Sequence, residues 1–331
     1  MNSFGKLFRV SIFGESHGES VGIVVDGCPA GLALTVDDLL PDLERRKGGK
    51  QKGTTPRQEA DYPFFKSGIF NEKTTGFPIA IFFENNNTRS EDYNKQRSIP
   101  RPGHADWVAH QKFGGHEDYR GGGHFSARLT TGLVAAGAIA KKLMTGISIH
   151  AEVTEIGGEK DLERGLQNAI DAKDSVGGLL ECRVTGLPVG LGEPYFDSVE
   201  SLLAQMMFTI PAVRGVEFGT GFAAAKMFGS EHNDAIEDMT GKTITNHAGG
   251  VVGGITNGNE LVFRIAIKPT SSTPKEQTSL NWDTEQMEKF SIKGRHDLCV
   301  ALRAPVIVEA ATAIVLADLM LQEQRIKRIV S

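Results

Sequence analysis

Apolar and polar positions along the chain fall into three patterns. Short runs rich in β-branched and aromatic residues, bounded by Gly, Asn or Pro, predict strands at Gly22 to Asp26, Ile79 to Glu84, Ile147 to Val153 and Glu260 to Lys268. Between them lie stretches with helix-start signals. Thr35 followed by Asp38 caps a helix toward Arg46, and Asp197 followed by Glu200 caps one through Phe208. A third pattern covers Ala127 to Met144 and Pro305 to Leu321, which are Ala-rich and apolar around most of the helical circumference. A helix of that kind is buried on several sides, so these two predict an inner helical layer covered by sheet.

The order of elements also repeats. Val25 to Leu32 with the helix to Arg46 is similar to Val184 to Leu191 with the helix from Asp197. Each half then runs to a Gly-led alternating strand (from Gly76, from Gly258), a His close to an Asp (His104 and Asp106, His296 and Asp297) and an Ala-rich helix. This predicts one domain over residues 1–331 containing a duplicated α/β unit, about 1–150 and 180–325, with a functional site between the halves. Chance recurrence of common turn and helix patterns is the alternative.

Composition narrows the class. With 331 residues, 40% hydrophobic, and only three cysteines, none in a CxxC pair, the chain is neither a disordered tail nor a collagen-like fibre nor a disulfide scaffold. Cys28, Cys182 and Cys299 are expected as buried free thiols. The 36 Lys and Arg against 41 Asp and Glu give −5, which argues against nucleic-acid and membrane-surface partners. The first 14 residues carry no long apolar h-region, and no stretch is apolar enough to span a membrane, so a cytoplasmic location is expected. Any anion handled here must be met by local charge.

Four segments place polar residues beside glycine. Phe13-Gly14-Glu15-Ser16-His17-Gly18 ends a predicted strand with a serine and a histidine. Arg101-Pro102-Gly103-His104-Ala105-Asp106 adds a second histidine, with a carboxylate near enough to orient it. Tyr119 to Arg128 (YRGGGHFSAR) is a glycine run leading into a helix N-terminus, where free N–H groups and the helix dipole favour an anion such as phosphate. It lacks the P-loop spacing, and Gly249 to Gly258 lacks a dinucleotide fingerprint. Ile292 to Asp297 (IKGRHD) pairs a cation with a carboxylate. From Asp42 to Arg57, six Lys and Arg in a Gly-rich stretch predict a mobile basic loop that closes over a small polyanion, Arg being suited to a two-pronged grip. No metal-ligand spacing is present.

Taken in order, FGESHG at 13–18, ERR at 44–46, TTG at 74–76, RPGHAD at 101–106, RGGG at 120–123, GLGEP at 190–194, NHAGG at 246–250, KPTSS at 268–272 and GRHD at 294–297 closely resemble the chorismate synthase family, from Gly5 to about Leu321. The resemblance implies an α+β fold, a β-α-β sandwich with inner helices between two antiparallel sheets, in a homotetramer. It implies a carbon–oxygen lyase that converts 5-enolpyruvylshikimate 3-phosphate to chorismate and phosphate by anti-1,4-elimination, with reduced FMN as cofactor and no net redox change. By motif match His17 protonates the leaving phosphate, His104 protonates reduced flavin, and Asp297 with Ser16 and Ser126 handles the ring proton. Arg46, Lys52, Arg101, Arg128 and Arg295 match the substrate-binding cations. His124, Phe125, Ser126, Pro211, Ala212, Gly253, Lys268, Pro269, Thr270, Ser271, Ser272 and Arg295 fall at the flavin contacts.

The chain departs from the family pattern in several places, among them a stretch after Val153 shorter than in many relatives. His124-Phe125 stands where the family commonly has Arg-Ser, Pro211 where it has Asn, and the basic loop reads Arg45-Arg46-Lys47-Gly48-Gly49 with Lys52 in place of a further Arg. Some family members reduce FMN with NADPH themselves; nothing in these residues indicates that ability, and an external flavin reductase is expected. The rival reading is a non-catalytic flavin or polyanion-binding protein on the same scaffold.

Overall fold

The computed structural model describes residues 1–49, 52–55, 59–87, 97–292, 296–327 and 329. Alternating burial builds the first sheet: in strand β3 (Ser20–Asp26) Val21, Ile23 and Val25 are buried, and in β5 (Ile79–Glu84) so are Ile79, Ile81 and Phe83. A period of two puts each trio on one face. With β1 (Ser3–Phe4), β2 (Arg9–Gly14) and β4 (Phe64–Ser67) they form an antiparallel sheet in the order β1-β2-β3-β5-β4. A second antiparallel sheet runs β8 (Val213–Phe218), β9 (Leu261–Ile267), β7 (Gly178–Thr185), β6 (Ser148–Ile156).

Between the sheets lie helices α3 (Thr130–Leu143) and α5 (Pro305–Gln322). Helix α3 packs on the first sheet and α5 on the second, and the two helices pack on each other. The chain is therefore an α+β sandwich of sheet, two inner helices and sheet, as the all-round apolar patterns require. Fully buried aliphatic and aromatic side chains in this core contribute about 1.5–3 kcal/mol each. The helices meet through small residues: a Cβ on Gly137 would lie 2.3 Å from the Ala310 Cβ, so even alanine there would push them apart. Helix α5 is apolar and long enough to cross a membrane by composition, yet 83% of it is buried in the sandwich. Its Asp318 carboxylate accepts from the backbone N–H groups of Lys6, Leu7 and Phe8 at 2.7–3.0 Å, tying the entrance of β2 to the core. All three cysteines are free and buried, and burial pushes the Cys28 and Cys182 thiols up to about 12.

Helix starts differ from expectation. The segment from Thr35 breaks into a 3-10 turn (Val36–Asp38) and helix α1 (Leu40–Arg46), because Pro41 has no N–H to continue a single ladder. Helix α4 (Val199–Met207) is capped by Ser198, whose side chain accepts from the Ser201 N–H; Asp197 pairs instead with Lys6 at 2.6 Å. The predicted strand from Ile147 runs on to Ile156.

Candidate functional site

The glycine run leads, through a short turn at Ala127–Leu129, into helix α3, as expected. Gly121, Gly122 and Gly123 all have positive φ (58°, 80° and 51°), a sequence of conformations that L side chains rarely adopt, and they form an arch. A Cβ on Gly121 would sit 2.1 Å from the His17 ring, and one on Gly122 would sit 3.4 Å from His104 Cε1 and Nε2. The absence of a side chain at Gly121 lets His17 stand against the arch, and His104 stands beside Gly122 on the same arch. The third carbonyl, Gly123 O, accepts from Ser16 N at 3.1 Å and Ser126 N at 3.4 Å. His124 Nδ1 lies 2.8 Å from Gly14 O; a carbonyl only accepts, so Nδ1 carries the proton and anchors the arch to the end of β2.

The arch forms one wall of a cavity of about 630 Å³, within the range expected for a small-molecule site. Among its described lining residues Lys and Arg outnumber Asp and Glu seven to three, so a locally cationic cleft sits in a chain of charge −5. A second wall is a buried ion cluster. Asp61, at positive φ (47°), pairs with Arg46 at 3.2 Å and with Arg128, and the three side chains are 2–5% exposed. Arg46 further donates to Thr130 Oγ1 and to the carbonyls of Ala127 and Arg128. Burial pushes its pKa down to about 9 against the upward pull of Asp61; the group stays charged at neutral pH. Arg46 thus ends the helix expected to run to it and is enclosed rather than part of a mobile loop; Lys50 and Arg57 lie outside the described residues.

The third wall joins distant motifs. Gly103 O accepts from Lys268 Nζ at 2.9 Å and Ser271 Oγ at 2.7 Å, and Ala212 O accepts from Lys268 N at 2.9 Å. Burial lowers the Lys268 pKa, helped by the nearby Arg214 charge. Pro211, Ala212, Lys268, Thr270, Ser271 and Ser272 all border the cavity, with Pro269 inside that run. Half-exposed Phe125, 6.4 Å centroid to centroid from Phe113, supplies an apolar face.

Of the residues singled out in the sequence, His17, His104, Ser126, Asp297, Arg46, Arg101, Arg128 and His124 also border the cavity. Asp297 accepts from Thr55 N at 2.8 Å and pairs with Arg303 at 3.0 Å. Ser126 caps the following turn, accepting from Arg128 N. Ser16 is fully buried behind the arch. Lys52 is exposed outside the cavity and bonds Gln167 at 2.8 Å, and Gly253 lies in the turn between Val251–Val252 and Ile255–Thr256, away from the cavity wall. Arg295 lies outside the described residues. Three residues had no motif to mark them: Asp61, Arg214 and Arg303. The only local signal was an arginine just before an apolar helix, at Arg303.

The site thus sets two histidines on a glycine arch across from a cluster of buried and half-buried cations, in a sheet–helix–sheet sandwich. The particular family follows from comparison. Residues 8–321 match the family model described as chorismate synthase, and the chain belongs to that family. It is similar to the chorismate synthase of Chitinophaga pinensis, 68% identical over 330 residues covering 99% of each chain, and to that of Dehalococcoides mccartyi, 45% identical over 360 residues with the same coverage. A solved structure titled crystal structure of chorismate synthase superposes with TM-score 0.73 at 27% identity, covering 97% of this chain and 93% of that one.

Proposed function

We propose that the chain converts 5-enolpyruvylshikimate 3-phosphate to chorismate and phosphate, by anti-1,4-elimination with reduced FMN. The observation that carries this reading is the pairing of His17 and His104 on one arch inside a cationic cavity. The donor set suits a flavin mononucleotide. Lys268 and Arg214 offer charge to a phosphate, Thr270, Ser271 and Ser272 offer hydroxyls, and Phe125 offers an apolar face to a ring. When bound, reduced flavin supplies electron density to the breaking C–O bond and recovers it.

The chain's own residues bind, orient and move protons. His17 is the general acid toward the departing phosphate, and His104 would hold a proton beside the bound flavin. Arg303, less enclosed than Arg46 and Arg128, meets the substrate's anionic groups, while the two buried arginines keep that wall positive. Asp297, with Ser16 and Ser126, handles the ring proton. Closure of the walls around the ligands excludes water and oxygen. We extend the proposal to a homotetramer fed by an external reductase in the cytoplasm, and to one domain with a duplicated unit over about 1–150 and 180–325. In support, each half supplies one sheet and one inner helix.

Purified protein, chemically reduced FMN and 5-enolpyruvylshikimate 3-phosphate under anaerobic conditions are expected to release phosphate and chorismate in equal amounts. No turnover would remove the lyase reading in favour of a non-catalytic flavin or polyanion binder. His17→Ala is expected to lower kcat by about 10²–10⁴-fold, read in the same assay.

A further inference from the structure

We propose that Asp106 is a positioning residue that fixes the ring and the proton of His104, with Arg101 as its brace. This rests on the reading of His104 as an active-site group. His104 Nδ1 lies 2.6 Å from Asp106 Oδ1 and 3.0 Å from Arg101 Nη2. One ring nitrogen cannot serve both: it either carries a proton and donates to the carboxylate, or is bare and accepts from the guanidinium. The carboxylate contact is the shorter and is charge-assisted. Arg101 Nη2 already has an acceptor in Asp106 Oδ1 at 2.8 Å. The proton therefore sits on Nδ1, and Nε2 is the atom left for chemistry, on the edge of the ring that faces Gly122.

Arg101 is held by the same carboxylate. Its Nε donates to Asp106 Oδ2 at 2.7 Å and Nη2 to Oδ1 at 2.8 Å, a two-pronged fork, while its backbone N–H donates to Oδ2 at 3.0 Å and Nη1 to Ser272 Oγ at 3.3 Å. Burial would push the Asp106 carboxyl up, but the hydrogen bonds from Arg101 and His104 outweigh it and hold the group well below the usual carboxylate range. A carboxylate locked as an anion at the first residue of helix α2 (Asp106–Phe113) is a fixed acceptor. The arginine matched to substrate thus has its donors turned to Asp106 and Ser272, and it acts through them.

The test is side-chain nitrogen NMR on the full chain labelled at histidine, recorded at a pH where the ring is neutral, with His104→Gln to assign the signal. Wild type is expected to show His104 protonated at Nδ1 and bare at Nε2. Asp106→Asn is expected to lose that single tautomer and to lower kcat roughly 10–100-fold with KM little changed. Arg101→Gln is expected to keep the proton on Nδ1. A wild-type ring protonated at Nε2, a proton that leaves Nδ1 in Arg101→Gln, or an Asp106→Asn enzyme with unchanged tautomer and kcat would each overturn the proposal. The wild-type spectrum needs no variant to fold and neither flavin nor substrate, so its outcome is separate from the turnover that tests the lyase reading.

Discussion

Two neighbouring arginines at the end of α1 lead to two ion clusters of different enclosure and different use. Arg46 turns inward to Asp61, which it shares with Arg128 at the cavity wall. Arg45 turns the other way to Glu309 of α5, which accepts both its guanidinium nitrogens at 2.7 Å and also Lys141 Nζ at 3.0 Å. In each, a buried carboxylate binds two cations, and around Glu309 a second carboxylate, Asp42, also takes Arg45 at 3.1 Å and Lys141 at 2.8 Å. The Glu309 cluster opens to solvent, since Arg45 is 45% exposed, and joins three helices and the backbone of Ala151. The Asp61 cluster is buried in the cavity wall, with side chains only 2–5% exposed and a carboxylate on a left-handed backbone. Enclosure separates an ion pair that fastens helices from one that charges a cavity, because a nearly buried cation depends on its protein partners rather than on water.

The largest effect is expected at Asp61→Ala, which leaves two buried guanidinium groups facing each other. Stability is expected to fall by about 3–5 kcal/mol, seen as a lower denaturation midpoint, with turnover lost. A fall below about 1 kcal/mol, the scale of an exposed pair, would erase the distinction between the clusters. Glu309→Gln is expected to lower stability by about 1.5–3 kcal/mol and to keep kcat, since Arg45 can turn to solvent. Its pH dependence sharpens the contrast. Burial would push the Glu309 carboxyl up, but hydrogen bonds and charge from Arg45 and Lys141 outweigh it and hold it below the ordinary 4.5. A depressed pKa stabilises the fold above the unfolded value, so the gap between wild type and Glu309→Gln is full above pH 4.5 and shrinks as pH falls through the lower folded value. A gap that widens in acid would contradict the assignment. The smallest effect is expected at Arg45→Lys, less than about 1 kcal/mol with unchanged turnover, whereas Arg46→Lys loses part of an enclosed bond set and about 1–3 kcal/mol.

The parts of this architecture legible in the sequence are those that depend on local chemistry. Ile79–Glu84 matches its predicted bounds because burial on one face forces alternation, and the two inner helices announce themselves by being apolar all round. The motif strings marked most of the cavity wall, since each carries its own glycine or histidine. Interactions between distant residues left no such trace. Nothing local tells that Asp61 will bridge Arg46 and Arg128, or that Arg303 will reach Asp297 and the Arg46 carbonyl. The glycine run was visible in sequence but its shape was not, because three successive left-handed residues look the same in sequence whatever they face.

The cradle that Asp318 makes for Lys6, Leu7 and Phe8 also orders events in time. It closes a loop of over 300 residues, and its acceptor lies near the end of the last core helix. During synthesis these amides have no acceptor in Asp318 until that helix has emerged, so the first sheet is secured at its outer edge by one of the final contacts to form. A ribosome stalled before residue 318 would hold a chain whose first turn remains open to exchange with water.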